Sequence, residues 1–369
     1  MKSLIITSVY KPSIGGIESH LSSFVKHWND LGHYTEVAVI DNPRDYTFNS
    51  IDGTKVHYIP TIFSKPLQLF KPLHQYIINM QDFDNIIVHD PHYMGLSCHF
   101  VFYKKQYHQK IFSVTHGGFF HTESKQKLKH FIFNNITSKI ISHFHQVIAV
   151  SKKDYVKFGE IISANKLSLI ENGVEKIGFN SVKDFSQGYR LVYFGRFSSN
   201  KRVHILVDVA KALLELTESV HLEFVFIGSG DDLAIKNINR LKANYPSRVS
   251  YFAHLDNQKL QQQIDLANIF WTASNYEGFG MTVVESMMSG LIPIVNNIEV
   301  LTQLVDHKVT GLVVDFSKSP KLIAEELLFE IRKSDFASLQ EKAILEAETY
   351  SWKSKICEYE KVVKSVMEN

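Results

Sequence analysis

Residues 276 to 290, YEGFGMTVVESMMSG, place two carboxylates, Glu277 and Glu285, on either side of a glycine-bearing loop that opens an apolar helix. Gly278 and Gly280 let backbone come close to a ligand, and the unpaired amides of Met281 and Thr282 at the helix start offer hydrogen bonds and positive dipole to a phosphate. Glu285 follows those amides by one helical turn and so looks toward the same helix end. Such a set suits a ligand that combines hydroxyls with phosphate. The same residues also fit a solvated loop glutamate followed by a glutamate in a first helical turn, where negative charge is favoured in any case.

Cations that match such a ligand occur in YFGRFSSNKRVHILVDVAKAL, where Arg196 and Lys201 lie at a strand end and a helix start. Arginine supplies a planar fork and lysine a point charge, and together they can neutralise a diphosphate. The alternative is a surface charge pair, but cations near a helix N-terminus oppose its dipole and call for an anion. Gly228, in the strand end FIGSG, can border a nucleotide, although Asp231 and Asp232 follow where a dinucleotide fingerprint needs another glycine. Earlier, VYKPSIGGIESHLSSF sets Gly15 and Gly16 before a helix from Ile17 to Leu31, and FSVTHGGFFHT ends a strand at His116 with His121 shortly after. Ligands of open α/β sheets gather beyond strand carboxyl ends. A lone histidine there, or the Asn-Gly turn at Asn172 in ENGV, serves equally well as a local hydrogen-bonding or turn element.

The elements that must hold these residues read as alternating strands and helices, the pattern of βα units around parallel sheets. KSLIITS, YTEVAVI, KVHYIP, DNIIVHD, KIFSVTH, HQVIAVS and KLSLIEN form one strand series. A polar break at GFNSVKDFSQGY, residues 178 to 189, precedes a second: RLVYFGR, HLEFVFIG, RVSYFAH, IFWTAS, LIPIVN and GLVVD. The tail SWKSKICEYEKVVKSVMEN reads as a helix with an apolar stripe of Trp352, Ile356, Tyr359, Val363 and Val366.

Composition agrees with two domains in 369 residues, at 44% hydrophobic and 21% charged. Two cysteines, Cys98 and Cys357, provide no disulfide framework and no metal cluster, which fits a reducing cytoplasm and predicts no metal requirement. No apolar run approaches the roughly 20 residues of a membrane span, and MKSLIITSVY is too short for a signal peptide. Net charge is +2, and no nucleic-acid partner is expected; residues 1–180 hold 19 Lys+Arg against 14 Asp+Glu, and residues 181–369 hold 21 against 24. The first half is therefore +5 and the second −3, a sign that favours an anionic partner for the first half. KPLQLFKPLHQY and ESKQKLKHFIFNNITSKIISHF mix lysine with apolar residues and can lie on an anionic membrane, or simply pack on their own domain.

The Glu-x7-Glu spacing, the G-R-x4-K element at Arg196 and Lys201, the Gly15-Gly16 loop and the strand-end His116 resemble the retaining glycosyltransferases of family 4. The resemblance implies an α/β GT-B fold: two Rossmann-like domains with parallel sheets facing across a cleft, and a C-terminal helix crossing back to the first domain. The domains would be 1–178 for the acceptor, 189–350 for the nucleotide-sugar donor, and 351–369 for the returning helix. It further implies that Glu277 contacts the donor sugar, Glu285 the ribose, Arg196 and Lys201 the diphosphate, and His116 the sugar, these being the catalytic set with Glu285 as binder. Gly15, Gly16, Gly228, Gly278, Phe279, Gly280, Met281 and Thr282 would complete the donor site. Glu18, His20, His121 and Asn172 would lie on the acceptor side.

By the same resemblance, a hexose passes from a nucleotide-diphosphate sugar to a glycan or lipid-linked glycan in bacterial surface polysaccharide or lipopolysaccharide synthesis, without a cofactor, at the inner face of the plasma membrane. THGGFFHT and HDPH, residues 89 to 92, are similar to exopolysaccharide α-mannosyltransferases that use GDP-mannose, with UDP-hexoses the competing donors. Two other readings are a GT-B sugar-nucleotide epimerase and a non-catalytic sugar-nucleotide-binding subunit. A nicotinamide oxidoreductase is disfavoured because G-x-G-x-x-G is missing.

Overall fold

The computed structural model describes residues 1–12, 16–41, 47–61, 78, 80–89, 109–116, 130–178, 182–216 and 219–368. The chain forms two compact units, one of Met1–Gly173 with Trp352–Asn369, the other of Val174–Ser351.

The first unit is built on eight strands: β1 (Lys2–Thr7), β2 (Tyr34–Asp41), β3 (Thr47–Ile51), β4 (Thr54–Pro60), β5 (Asn85–His89), β6 (Lys110–Val114), β7 (Gln146–Ala149) and β8 (Leu167–Leu169). They run in the order β3-β4-β2-β1-β5-β6-β7-β8, all parallel except β3, which pairs antiparallel with β4. The helices described in this part are α1 (Gly16–Asp30), α2 (Ser138–Ile141) and α3 (Lys152–Gly159). Both faces of the sheet are covered, which is why its central strands are apolar without alternation. On β1, Leu4 and Ile6 pack with Phe133 and Phe144, while Ile5 packs with Phe24 and Trp28 of α1. α1 contributes a helical stripe of His20, Leu21, Phe24, Val25 and Trp28. β3 was not among the strands read from the sequence. It is joined to β4 by Asp52 and Gly53, both at positive φ (51° and 77°), the backbone that a two-residue hairpin turn requires.

The second unit carries β9 (Tyr189–Phe194), β10 (Leu222–Ile227), β11 (Val249–Phe252), β12 (Ile269–Thr272), β13 (Ile292–Asn296) and β14 (Leu312–Val314). Their order, β11-β10-β9-β12-β13-β14, is wholly parallel. Its helices are α4 (Val203–Leu216), α5 (Asp232–Asn244), α6 (Asn257–Leu266), α7 (Met281–Met288), α8 (Glu299–Thr302), α9 (Pro320–Lys333) and α10 (Phe336–Glu348). Leu191 and Tyr193 of β9 enter one core layer, with Leu206 of α4 and Leu327 of α9. Val192 and Phe194 enter the opposite layer, with Val283 and Val284 of α7. This is the doubly wound strand order, and it reverses between β9 and β12, so the loops after those two strands flank the place where such sheets bind ligands.

The polar stretch 178–189 is not a linker between units. Ile177 and Gly178 donate their amides to the Ser289 hydroxyl at 3.3 and 3.1 Å, and the buried Lys183 donates to the Ile264 carbonyl at 2.9 Å. The chain therefore changes units between Gly173 and Val174, and the polar composition marks a surface crossing of the second unit. Val174 donates to the Tyr350 carbonyl at 2.8 Å, so the chain enters and leaves that unit at one point.

The last helix, α11 (Trp352–Glu368), belongs to the first unit and seats Trp352, Ile356, Tyr359 and Val363 in the core layer of α1. Burial of each of these side chains stabilises by roughly 1.5–3 kcal/mol. Gly173 is required at this join, because a Cβ there would lie 2.4 Å from the Trp352 ring. No helix among the described residues is long and apolar enough to cross a membrane.

Candidate functional site

In the second unit the loops after β9 and β12 are tied together before any charge is considered. Gly195 leaves β9 at φ 138°, and a short 3-10 turn, Ser199–Lys201, leads to α4. Asn200 accepts the Asn275 amide at 2.9 Å through its carbonyl and donates its side-chain amide to the Tyr276 carbonyl at 3.0 Å. Arg202, held at φ 47°, donates from Nε to the Ala273 carbonyl at 2.8 Å. Arg202 and Asn200 were missed in the sequence; only the polar run SSNKR hinted at them.

This stitching puts Lys201 Nζ 2.5 Å from Oε1 of Glu277. Glu277 is 9% exposed, so its carboxylate depends on that cation. The anion called for by a lysine ahead of a helix is thus supplied from within the fold. The negative charge also reaches Tyr193, whose phenol is pushed up first by burial and then by Glu277. Arg196 is exposed on the same loop and its carbonyl accepts the Tyr193 hydroxyl at 3.0 Å.

α7 starts from Gly280, at φ 96° and without a side-chain cap. A Cβ on Gly280 would lie 2.9 Å from Leu304, and the left-handed backbone excludes other residues as well. The α7 start keeps its orphan amides at Met281 and Thr282, while the Val283 amide turns back to the Gly280 carbonyl at 2.9 Å. One turn along, burial pushes the Glu285 carboxyl up to about 7, with the Lys201 charge acting the other way. Lys201, Glu277, Glu285 and the α7 start therefore form one electrostatic group: a cation between two carboxylates, at the positive end of a helix.

Two residues expected at the donor site also have a packing role. The Phe279 side chain is buried against Tyr350 at 5.7 Å between ring centres, so it belongs to the core. Gly228 is a glycine for packing: at φ 144° its Cβ would lie 1.9 Å from the Gly195 carbonyl oxygen. Gly278 meets nothing within 4 Å and is not fixed by packing in that way.

The first unit gathers a different group. β5 ends in His89, β6 runs two residues past its end to His116, and α1 presents His20; at the β1–β5 crossing this is again the carboxyl end of the sheet. His89 Nδ1 lies 3.1 Å from His116 Nε2, and His20 meets His116 edge-on at 4.7 Å between ring centres. His20 is 2% exposed and His89 fully buried. Burial drives both imidazoles well below their usual range, helped at His20 by His89 and at His89 by His116, while Asn172 acts to raise His20. One nitrogen from each of the three rings lies within 4.8 Å of the others. They are the cluster, among the described residues, able to hold a metal ion, a grouping the sequence reading did not anticipate.

The acceptor-side candidates separate. His20 and Asn172 turn inward to this cluster, whereas Glu18 lines a cavity of about 520 Å³ with Lys11, Ser22, Asn49 and Tyr58. Residues two apart on a helix do not share a face. Gly16 opens α1 with free space where a Cβ would sit, so packing does not demand glycine there. Gly15 and His121 lie outside the described residues, as do the whole lysine-rich apolar segment 65–76 and residues 123–129 of the second.

Comparison with known proteins covers both units. The Glycosyltransferase Family 4 domain matches residues 14–176, and the Glycosyl transferases group 1 domain matches residues 178–346. A GDP-mannose:cellobiosyl-diphosphopolyprenol alpha-mannosyltransferase of Komagataeibacter xylinus is 25% identical over 378 residues, covering 100% of this chain and 94% of that one. The protein of that name from Xanthomonas oryzae pv. oryzae is 27% identical over 248 residues, 66% of this chain and 65% of its own length. Among solved structures, HepE of Anabaena in complex with UDP superposes with TM-score 0.74 at 17% identity over 99% of this chain and 100% of that one. Sucrose-phosphate synthase of Thermosynechococcus elongatus gives 0.70 at 15%, covering 100% of both.

Proposed function

Because the chain belongs to family 4 of the glycosyltransferases, with the GT-B fold, we propose that it moves a hexose from a nucleotide-diphosphate sugar to a lipid-linked glycan, with retention of anomeric configuration. The observation that supports this most is the Lys201–Glu277 pair set beside the uncapped start of α7, with Glu285 one turn behind. Cleavage of the sugar–phosphate bond builds negative charge on the departing diphosphate, which Arg196, Lys201 and the Met281 and Thr282 amides neutralise. Glu277 exchanges part of its bond with Lys201 for sugar hydroxyls, and Glu285 accepts from the ribose. The leaving phosphate oxygen takes the proton of the acceptor hydroxyl as that oxygen bonds to the anomeric carbon on the face the phosphate leaves. Two protein cations do the neutralising in this scheme, so no metal is required, and EDTA leaves the rate unchanged.

The curated relatives that carry GDP-mannose and cellobiosyl-diphosphopolyprenol in their names favour GDP-mannose as donor, with UDP-hexoses next, and a polyprenyl-diphosphate oligosaccharide as acceptor. Such an acceptor places the enzyme peripherally on the anionic inner face of the plasma membrane.

The test is transfer of radiolabelled mannose from GDP-mannose to a disaccharide-diphosphopolyprenol in liposomes, with UDP-hexoses in parallel and the product anomer assigned by NMR. Transfer lost in Arg196→Ala supports the reading. Donor turnover without acceptor points to the epimerase, an inverted anomer overturns retention, and no turnover of any sugar nucleotide overturns the assignment.

A further inference from the structure

We infer that His89 is a positioning residue that fixes the tautomer of His116, donating from Nδ1–H to Nε2 of His116 so that His116 carries its own proton on Nδ1. The two nitrogens are 3.1 Å apart, a distance at which one ring donates and the other accepts. His89 is fully buried, and its other nitrogen, Nε2, has no hydrogen-bond partner. Were His116 the donor, the His89 proton would have to sit on Nε2 and be stranded in the core. Buried orphan N–H groups are rare because each forfeits its water without replacement. With the proton on Nδ1 of His89, no N–H of that ring is wasted. Burial disfavours the charged form of His89, so that ring has one proton to place.

His20 fixes the ring plane. It packs edge-on against His116 (4.7 Å, 78°) and is itself backed by Trp352 of α11 at 4.8 Å. Neither nitrogen of His20 has a hydrogen-bond partner of good geometry, so it acts as a wall and does not compete for Nε2 of His116. The consequence is chemical. With its lone pair engaged by His89, Nε2 of His116 cannot take the acceptor proton as a general base. This consequence rests on the reading of His116 as a sugar contact; the tautomer itself stands on the first unit alone.

The experiment is nitrogen-15 NMR of histidine-labelled enzyme, with the His116 signals assigned by their loss in His116→Gln. Wild type is expected to show His116 protonated at Nδ1. In His89→Phe, which folds around an apolar ring, the proton should move largely to Nε2, and His89→Gln, which restores a donor, should return it. Transfer should fall roughly tenfold to a hundredfold in His89→Phe through kcat and recover in part in His89→Gln, by analogy with the partners that orient metal-ligating histidines. An Nε2-protonated His116 in wild type, or a tautomer indifferent to His89→Phe, overturns the inference. So does stoichiometric zinc in the purified enzyme that His89→Gln abolishes, since a metal bridge would then replace the hydrogen bond. A tautomer that switches while kcat stays constant upholds the positioning of His116 and overturns its role at the sugar.

Discussion

Replacing Glu285 by glutamine tests the electrostatics of the second unit directly. Burial raises the Glu285 carboxyl from 4.5 to about 7, so the folded state prefers it protonated. A group raised on folding stabilises fully below its unfolded pKa and loses that contribution as pH climbs through the folded value. For Glu285 the window runs from pH 4.5 to somewhat above 7. At about 1.4 kcal/mol per pH unit the shift corresponds to a ceiling of roughly 3 kcal/mol, and residual solvent contact brings it nearer 2 kcal/mol. Glutamine keeps the shape of the protonated form and does not ionise. The stability of Glu285→Gln minus wild type should therefore be flat below pH 4.5, rise between pH 5 and 7, and level off about 2 kcal/mol higher by pH 8.

Differential scanning calorimetry reads this as a gap in the melting temperature of the second unit, near 4–8 °C for a unit of this size. All other titrating groups cancel in the difference. Parallel curves from pH 5 to 8 would refute the claim that this carboxyl is ionised at a cost. The site's use of that cost gives a second readout. A ribose hydroxyl donating to the carboxylate stabilises its charged form, so nucleotide binding at pH 7 should release a fraction of a proton, seen as a buffer-dependent heat in wild type and missing in Glu285→Gln.

Lys201→Ala leaves Glu277 without its cation and should cost about 2–4 kcal/mol in denaturant titrations; adding Glu277→Gln restores much of that stability but not transfer, which stays at least about a hundredfold down. Gly228→Ala drives a methyl group into the Gly195 carbonyl from a left-handed backbone, so unfolding should come about 2–4 kcal/mol earlier if the loops after β9 and β10 hold their observed spacing. Trp352→Ala removes the anchor of α11 and should cost about 3–5 kcal/mol, with limited proteolysis releasing the 352–369 segment first; equal cleavage in wild type and variant would contradict the packing.

The core strands were legible because a parallel sheet covered on both faces writes each strand as an unbroken apolar run, and the runs at β1, β5, β9 and β12 have that form. β3 escaped because TFNSI is a polar edge strand, although the Asp52-Gly53 pair after it carried the hairpin signal. The unit boundary was read at 178–189 because polarity reports exposure, and most of the described residues there are exposed or half-buried while Gly178 and Lys183 are tied to Ser289 and α6. Glu277, Glu285 and Lys201 were found as separate motifs, yet their contact, across 76 positions, could only come from the order of β9 beside β12. The histidine cluster was least legible. His89 ends an apolar strand like any buried residue, and its partner lies 27 positions away on the neighbouring strand.

That Val174 and Tyr350 meet means the second unit is a continuous insertion, whereas the first is interrupted by it and, among the described elements, is completed by α11. On the ribosome, residues 174–351 can reach their final structure while the first unit still lacks the helix that covers α1. Phe24, Trp28 and His20 then lack that cover until Trp352 emerges. Chain order thus delivers Trp352, which backs His20, only after the whole of the second unit.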